Sequence, residues 1–97
     1  MTKEEYLLYQ ERIIEFLNLI RERISPNTLT GIEHYLDHAE IEMAFELFCL
    51  EIISKNISFP QNKKRQLLDL AERLGLKSNS VYEPDLWEKL VVYSSEP

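Results

Sequence analysis

Residues 2–26, TKEEYLLYQERIIEFLNLIRERISP, decide the fold class. Thr2 followed by Glu5 is a capping-box pair, in which each side chain satisfies a free backbone N–H at a helix start. A helix is therefore expected from about Lys3. Within it Tyr6, Tyr9, Ile13, Phe16, Leu17, Ile20 and Ile24 recur at spacings of three and four. That period draws one apolar stripe along an amphipathic helix, which breaks at Ser25-Pro26.

The same logic carries outward. Ser25 is placed to cap a second helix with Pro26 in its first turn, where a missing N–H costs nothing. Leu29, Ile32, Tyr35 and Leu36 supply its short apolar face, and it ends near Asp37 or His38. A third helix is expected from about Ala39 to Lys55. It carries Ile41, Ala44, Phe45, Phe48 and Ile52 on one face and Met43, Leu47, Leu50 and Ile53 on the others, a distribution that marks a central element or one covered by a partner. Pro60 disfavours helical backbone at Phe59, so 56–60 reads as an extended connector. Gln61 to Leu74 forms a fourth helix with Leu67, Leu70, Ala71 and Leu74 inward, and Gly75 suits the left-handed position past its end. Lys77 to Glu83 is polar loop. Pro84 then opens a short last helix in which Leu86, Trp87, Leu90 and Val91 act as a lid, with residues 93–97 frayed.

Composition agrees. The chain has 97 residues, enough for one core, and its 44% hydrophobic and 29% charged content is that of a globular protein, not a disordered one. Two glycines and four prolines are few for the tight turns of a small β protein. The expectation is an all-α fold: a single domain of about five helices in a compact antiparallel array with short connections. Cys49 has no intrachain partner, no apolar run approaches a bilayer span, and the charged N-terminus does not lead into a signal-peptide core. These features point to a reducing, cytoplasmic setting with no membrane partner.

The charge pattern is less generic. Of 17 acids and 11 bases, residues 24–54 hold no Lys or Arg but carry Glu33, Asp37, Glu40, Glu42, Glu46 and Glu51, so this window accounts for the entire net charge of −6. Glu33 and Asp37 lie four apart, as do Glu42 and Glu46, a spacing at which like charges on a helix repel unless something cationic relieves them. The plainer reading makes Glu40 and Glu42 complements to a helix N-terminus and the rest a solvated face. Taken whole, the cation-free window predicts a negative surface on the second and third helices that meets a basic partner. Glu33, Tyr35, Asp37, Glu40, Glu42 and Glu46 are its candidate partner-binding residues, with Tyr35 as an anchor because tyrosine is enriched at binding hot spots. Direct nucleic-acid binding is not expected, since that affinity comes from cationic side chains displacing counterions.

Other constellations carry less. His34 and His38 at i and i+4 can present two imidazoles to one metal ion, but Tyr35 stands where a zinc-protease motif has Glu and no third ligand is evident. A histidine pair favouring a helix-end dipole is the plainer account, and neither metal nor cofactor is expected. Cys49 sits in the most apolar helix, where a thiol is normally inert packing. Lys63-Lys64-Arg65 is the one basic cluster, too small for a DNA-binding face and better read as pairing with acids such as Asp69 or an external anion. No nucleophile elbow or phosphate loop is present, so catalysis has no anchor.

The stretch 32–47, IEHYLDHAEIEMAFEL, resembles the small bacterial immunity proteins of the MafI type, as do Ile57-Ser58-Phe59-Pro60 and 67–76, LLDLAERLGL, followed by Trp87 and Leu90. The match covers roughly two-thirds of the chain and omits the first helix. Ala39 stands where that resemblance leads one to expect a glycine. The resemblance implies a cytoplasmic antitoxin that neutralises a polymorphic toxin, such as the toxin domain of a contact-dependent growth inhibition system. Toxins that cleave nucleic acid need basic clefts, which an acidic helical surface can occlude without chemistry of its own. The expected partner is thus a basic toxin domain of the nuclease class. The alternative is a helical adaptor that assembles through Met43, Leu47 and Leu50.

Overall fold

A computed structural model describes residues 1–80 and 82–96. Five α-helices follow one another: α1 (Lys3–Ile20), α2 (Pro26–Asp37), α3 (Ile41–Ser54), α4 (Gln61–Arg73) and α5 (Leu86–Ser95), with a 3-10 turn over Arg21–Arg23 after α1. Among the described residues there is no strand. The radius of gyration is 12.3 Å, that of a single folded unit of this length, for which about 13 Å is usual. No helix is long and apolar enough to cross a membrane among the described residues.

The α1 capping box forms in both directions: the Glu5 N–H donates to Thr2 Oγ1 (3.1 Å) and the Thr2 N–H to Glu5 Oε1 (3.2 Å). The α1 stripe is buried from Tyr9 to Ile24, with Tyr6 half-buried. Pro26 opens α2 as expected, but Ser25 does not cap it. Its N–H (2.8 Å) and hydroxyl (3.0 Å) both donate to Glu51 Oε2, and the Thr28 hydroxyl donates to Glu51 Oε1 (3.2 Å). A buried carboxylate of α3 therefore takes the donors at the start of α2. The Ser25 hydroxyl is turned toward the carboxylate as a donor, and bonds to a charged acceptor are the stronger ones.

Three helices end in the same way. Past α2, α3 and α4 the chain turns through left-handed residues, Ala39 (φ 60°), Asn56 (φ 48°) and Gly75 (φ 85°). In each case the N–H one residue further on reaches back into the last turn: Glu40 to the Tyr35 carbonyl (2.9 Å), Ile57 to Ile52 (2.9 Å) and Leu76 to Ala71 (3.0 Å). These are Schellman closures, which satisfy carbonyls that a helix end otherwise leaves free. Because Ala39 lies in the turn, α3 starts at Ile41 and not at Ala39.

α3 is the central element, packed against α1, α2 and α5, while α4 packs on α5. Its apolar face meets an aromatic cluster in which Phe48 stacks with Phe16 (6.4 Å) and Phe45 (6.5 Å), and Phe59 sets its edge on Phe16 (5.6 Å) and Phe48 (6.1 Å). Phe59 comes from the extended connector, which is thereby pinned to the core. α2 approaches α3 closely at Gly31, where a Cβ would sit 3.0 Å from Leu47 Cδ2.

Two details of the C-terminal half differ from expectation. Val91 is exposed, and the inward residues of α5 are Leu86, Leu90 and Tyr93. Nor is the chain frayed from 93: α5 runs to Ser95, with Ser94 buried and the Tyr93 hydroxyl donating to the Ile57 carbonyl at 2.6 Å. Pro97, within the segment expected to fray, and Val81, within the expected 77–83 loop, lie outside the described residues.

Candidate protein-binding surface

The six acids of the cation-free window do not share one surface. Glu46 is 2% exposed; it accepts the Ser80 hydroxyl and the Tyr82 N–H (3.4 Å) and so fastens the loop after α4 to α3. It is withdrawn from the binding set, because it lies on the side of α3 that this loop covers. Glu51, also buried, holds the start of α2 and pairs with Lys55 (3.2 Å). Burial pushes the Glu51 carboxyl up, but the Ser25 N–H and hydroxyl and the Lys55 ammonium together outweigh it and leave the group below its ordinary value. Glu33 is exposed but bridged to Arg21 at 3.1 Å. Of the four acids in the Glu33/Asp37 and Glu42/Glu46 pairs, Glu33 is thus neutralised inside the molecule, by Arg21.

What remains is a smaller site at the corner between α2 and α3. Asp37 ends α2, Glu40 occupies the position before α3, and Glu42 lies in the first turn of α3; all three are exposed. Among the described residues none of the three lies within ion-pair distance of a Lys or Arg. The left-handed Ala39 turns the chain between Asp37, at the end of α2, and Glu40 and Glu42, at the start of α3. Glu40 makes no side-chain cap bond, yet Glu40 and Glu42 stand where the N-terminal end of α3 favours negative charge, so the plainer sequence reading holds for them at the same time.

Tyr35 is half-buried, and its hydroxyl lies 2.5 Å from that of Tyr82, which is 40% exposed. The Tyr82 phenol is pushed up to about 12 by partial burial, by the Tyr35 hydroxyl and by the fields of Glu46 and Glu40. Of the corner acids, Glu40 is the one whose field reaches the tyrosine pair. Tyr82 was not among the sequence candidates: it lies 47 residues from Tyr35, and no local pattern connects the two. His34 and His38 stand exposed on the same end of α2.

The other sequence candidates fall inward. Lys64 is buried; its Nζ donates to the Glu96 carbonyl (2.8 Å) and lies 5.1 Å from the centre of the Tyr93 ring, so the 63–65 cluster is no continuous basic face. Cys49 is fully buried, and burial pushes its thiol well up, away from the reactive thiolate. Met43, Leu47 and Leu50, the expected adaptor flank, are half-buried, with Leu47 and Leu50 packed on the core. Among the described residues no group of three or more His, Cys, Asp or Glu could enclose a metal ion.

Fold and surface define a small all-α protein whose exposed chemistry at this corner is three unpaired carboxylates beside a tyrosine pair. Comparisons with protein-family models, with curated proteins and with solved structures give no match.

Proposed function

We propose that the chain is an immunity protein that binds a basic toxin domain of the nuclease class through the α2–α3 corner and neutralises it by covering its cleft. The observation that carries this reading is the set Asp37, Glu40 and Glu42, exposed and without Lys or Arg partners among the described residues, beside Tyr35 and Tyr82. Carboxylates left unpaired raise the local potential for a cationic partner and speed its encounter, while an amphipathic tyrosine pair supplies contact area at small entropic cost. Glu33 joins the site at its edge, where a partner arginine competes with Arg21 for it. The proposed setting is the cytoplasm, where a cell must meet an incoming toxin.

Co-expression with basic nuclease-class domains encoded near its gene tests the proposal: the wild-type chain protects the host against one of them, and the chain with Asp37, Glu40 and Glu42 reversed to Lys does not. Association of the purified pair slows with added salt for the wild type and loses most of that dependence in the variant. Full protection by the folded triple variant removes this surface from consideration.

A further inference from the structure

We propose that His34 and His38 form an open two-imidazole site for a divalent transition-metal ion on the last turn of α2. Residues four apart on a helix stand one above the other, and the two rings lie 4.2 Å apart between centres with their planes inclined by 35°. Two imidazole nitrogens bound side by side to one ion, each at about 2.0–2.1 Å, are separated by roughly 3 Å. The 4.2 Å between ring centres is of the same order as that spacing. Both residues are exposed, so an ion reaches them without opening the fold.

The stronger argument is the tautomer. His38 Nδ1 lies 2.8 Å from the His34 carbonyl oxygen. A carbonyl can only accept, so Nδ1 carries the hydrogen and the lone pair of the neutral ring is on Nε2. A backbone carbonyl orients metal-binding histidines in the same manner. The alternative role, a cationic pair favouring the helix-end dipole, requires protonated rings, whereas metal binding displaces protons. The two accounts therefore differ in a measurable quantity.

Among the described residues no third His, Cys, Asp or Glu closes the cage, so water completes the coordination. An open site with two nitrogen donors follows the general order of divalent metals, with Cu²⁺ ahead of Zn²⁺ and no useful affinity for Mg²⁺, which prefers oxygen. Exposed Asp37, next to His38 and without a Lys or Arg partner, adds a favourable field. Cys49 does not compete, being fully buried with its thiol held protonated. This inference rests on ring geometry and does not depend on the proposed toxin partner.

Calorimetric titration of the full chain with Cu²⁺, Zn²⁺ and Mg²⁺ tests it, together with electron paramagnetic resonance of the Cu²⁺ form. Expected are one Cu²⁺ per chain bound through two nitrogens, weaker Zn²⁺ binding and no Mg²⁺ binding. His34→Gln and His38→Gln each weaken Cu²⁺ binding by about tenfold or more, because each removes the chelate. Both positions are exposed, and circular dichroism checks that the variants stay folded. Equal Cu²⁺ affinity in the double variant H34Q/H38Q, or a single coordinated nitrogen in the wild type, overturns the proposal.

Discussion

The Glu46 carboxylate of α3 accepts the hydroxyl of Ser80, 34 residues further along the chain, and so joins the central helix to the loop that carries Tyr82. A buried carboxylate is costly unless its bonds are made, and its donors are costly once it is gone. Glu46→Ala is expected to destabilise the fold by about 1–3 kcal/mol, the usual penalty for buried polar groups left unsatisfied. The same change loosens residues 76–80, 82 and 83, so hydrogen exchange there accelerates more than in the aromatic core around Phe48. Equal acceleration throughout the chain would show that Glu46 supports the fold and not this loop in particular.

Periodicity made the helices legible. The α1 stripe, the inward residues of α4 and the central position of α3 all follow from apolar spacing, because burial on a helix obeys its 3.6-residue turn. Charge gave no such guidance. Glu42 and Glu46 are the same residue type one turn apart, yet one is exposed and the other is 2% exposed. The difference is a loop that arrives from beyond α4, and nothing near Glu46 in the chain announces it. Of the three left-handed helix ends, Gly75 was readable, whereas Ala39 and Asn56 were not assigned that conformation, because only glycine adopts it without cost. Ser25 differs from its expected capping role because its hydroxyl and N–H donate to Glu51, 26 residues away, which no local pattern announces.

Glu51 makes stability depend on acid. Its folded carboxyl lies below the ordinary value of 4.5, so its contribution is fully present above about that pH and is lost as pH falls through the lower folded value. Glu51→Gln keeps one acceptor oxygen but sets an amide against the donors of Ser25 and Thr28, at a cost of about 1–3 kcal/mol near neutrality. Thermal unfolding of both proteins across pH checks this: the gap in Tm is constant at neutral pH and narrows below pH 4.5. A gap that widens with acid contradicts the assignment.

Ala39 offers a gain. At φ 60° its Cβ crowds the backbone, at a cost of roughly 1–2 kcal/mol that glycine removes, while the greater freedom of glycine in the unfolded chain offsets part of that gain. Ala39→Gly is expected to stabilise the protein by about 0.5–1 kcal/mol. Gly75→Ala at φ 85° runs the other way by a similar amount, and since nothing lies within 4 Å of the added Cβ, its cost is purely conformational. Urea unfolding midpoints should move in opposite directions for the two variants.

Tyr93 shares the alkaline limb with Tyr82, whose phenol is raised to a similar value. Burial pushes the Tyr93 phenol up from 10.0 to about 12, against a smaller opposing effect of Arg23, so the folded state keeps a proton that the unfolded chain releases first. Its stabilisation is complete below pH 10 and declines as pH rises toward 12. Tyr93→Phe removes the bond to the Ile57 carbonyl, costing about 1 kcal/mol at neutral pH, and flattens that decline. Unfolding followed against pH, with tyrosinate absorbance as the second signal, separates the two effects.

Reversing the corner acids has a structural cost that must be kept apart from binding. Glu40 and Glu42 sit at the N-terminal end of α3, where negative charge is worth about 0.3–1 kcal/mol each, so Lys at both positions lowers stability by more than the loss of charge alone. Glu40→Gln with Glu42→Gln removes the charge without inverting it and should cost at most about 1–2 kcal/mol, a difference that calorimetric unfolding resolves. Asp37 lies at the opposite, C-terminal end of α2, where a carboxylate is unfavourable, so Asp37→Asn should leave stability unchanged or slightly raised. If the corner exists for a basic partner, Asp37 is the informative position: its neutralisation weakens association while the fold holds or gains. A loss of binding seen at Glu40 and Glu42 but not at Asp37 would instead trace to the helix end, and the proposed surface would have to shrink to α3.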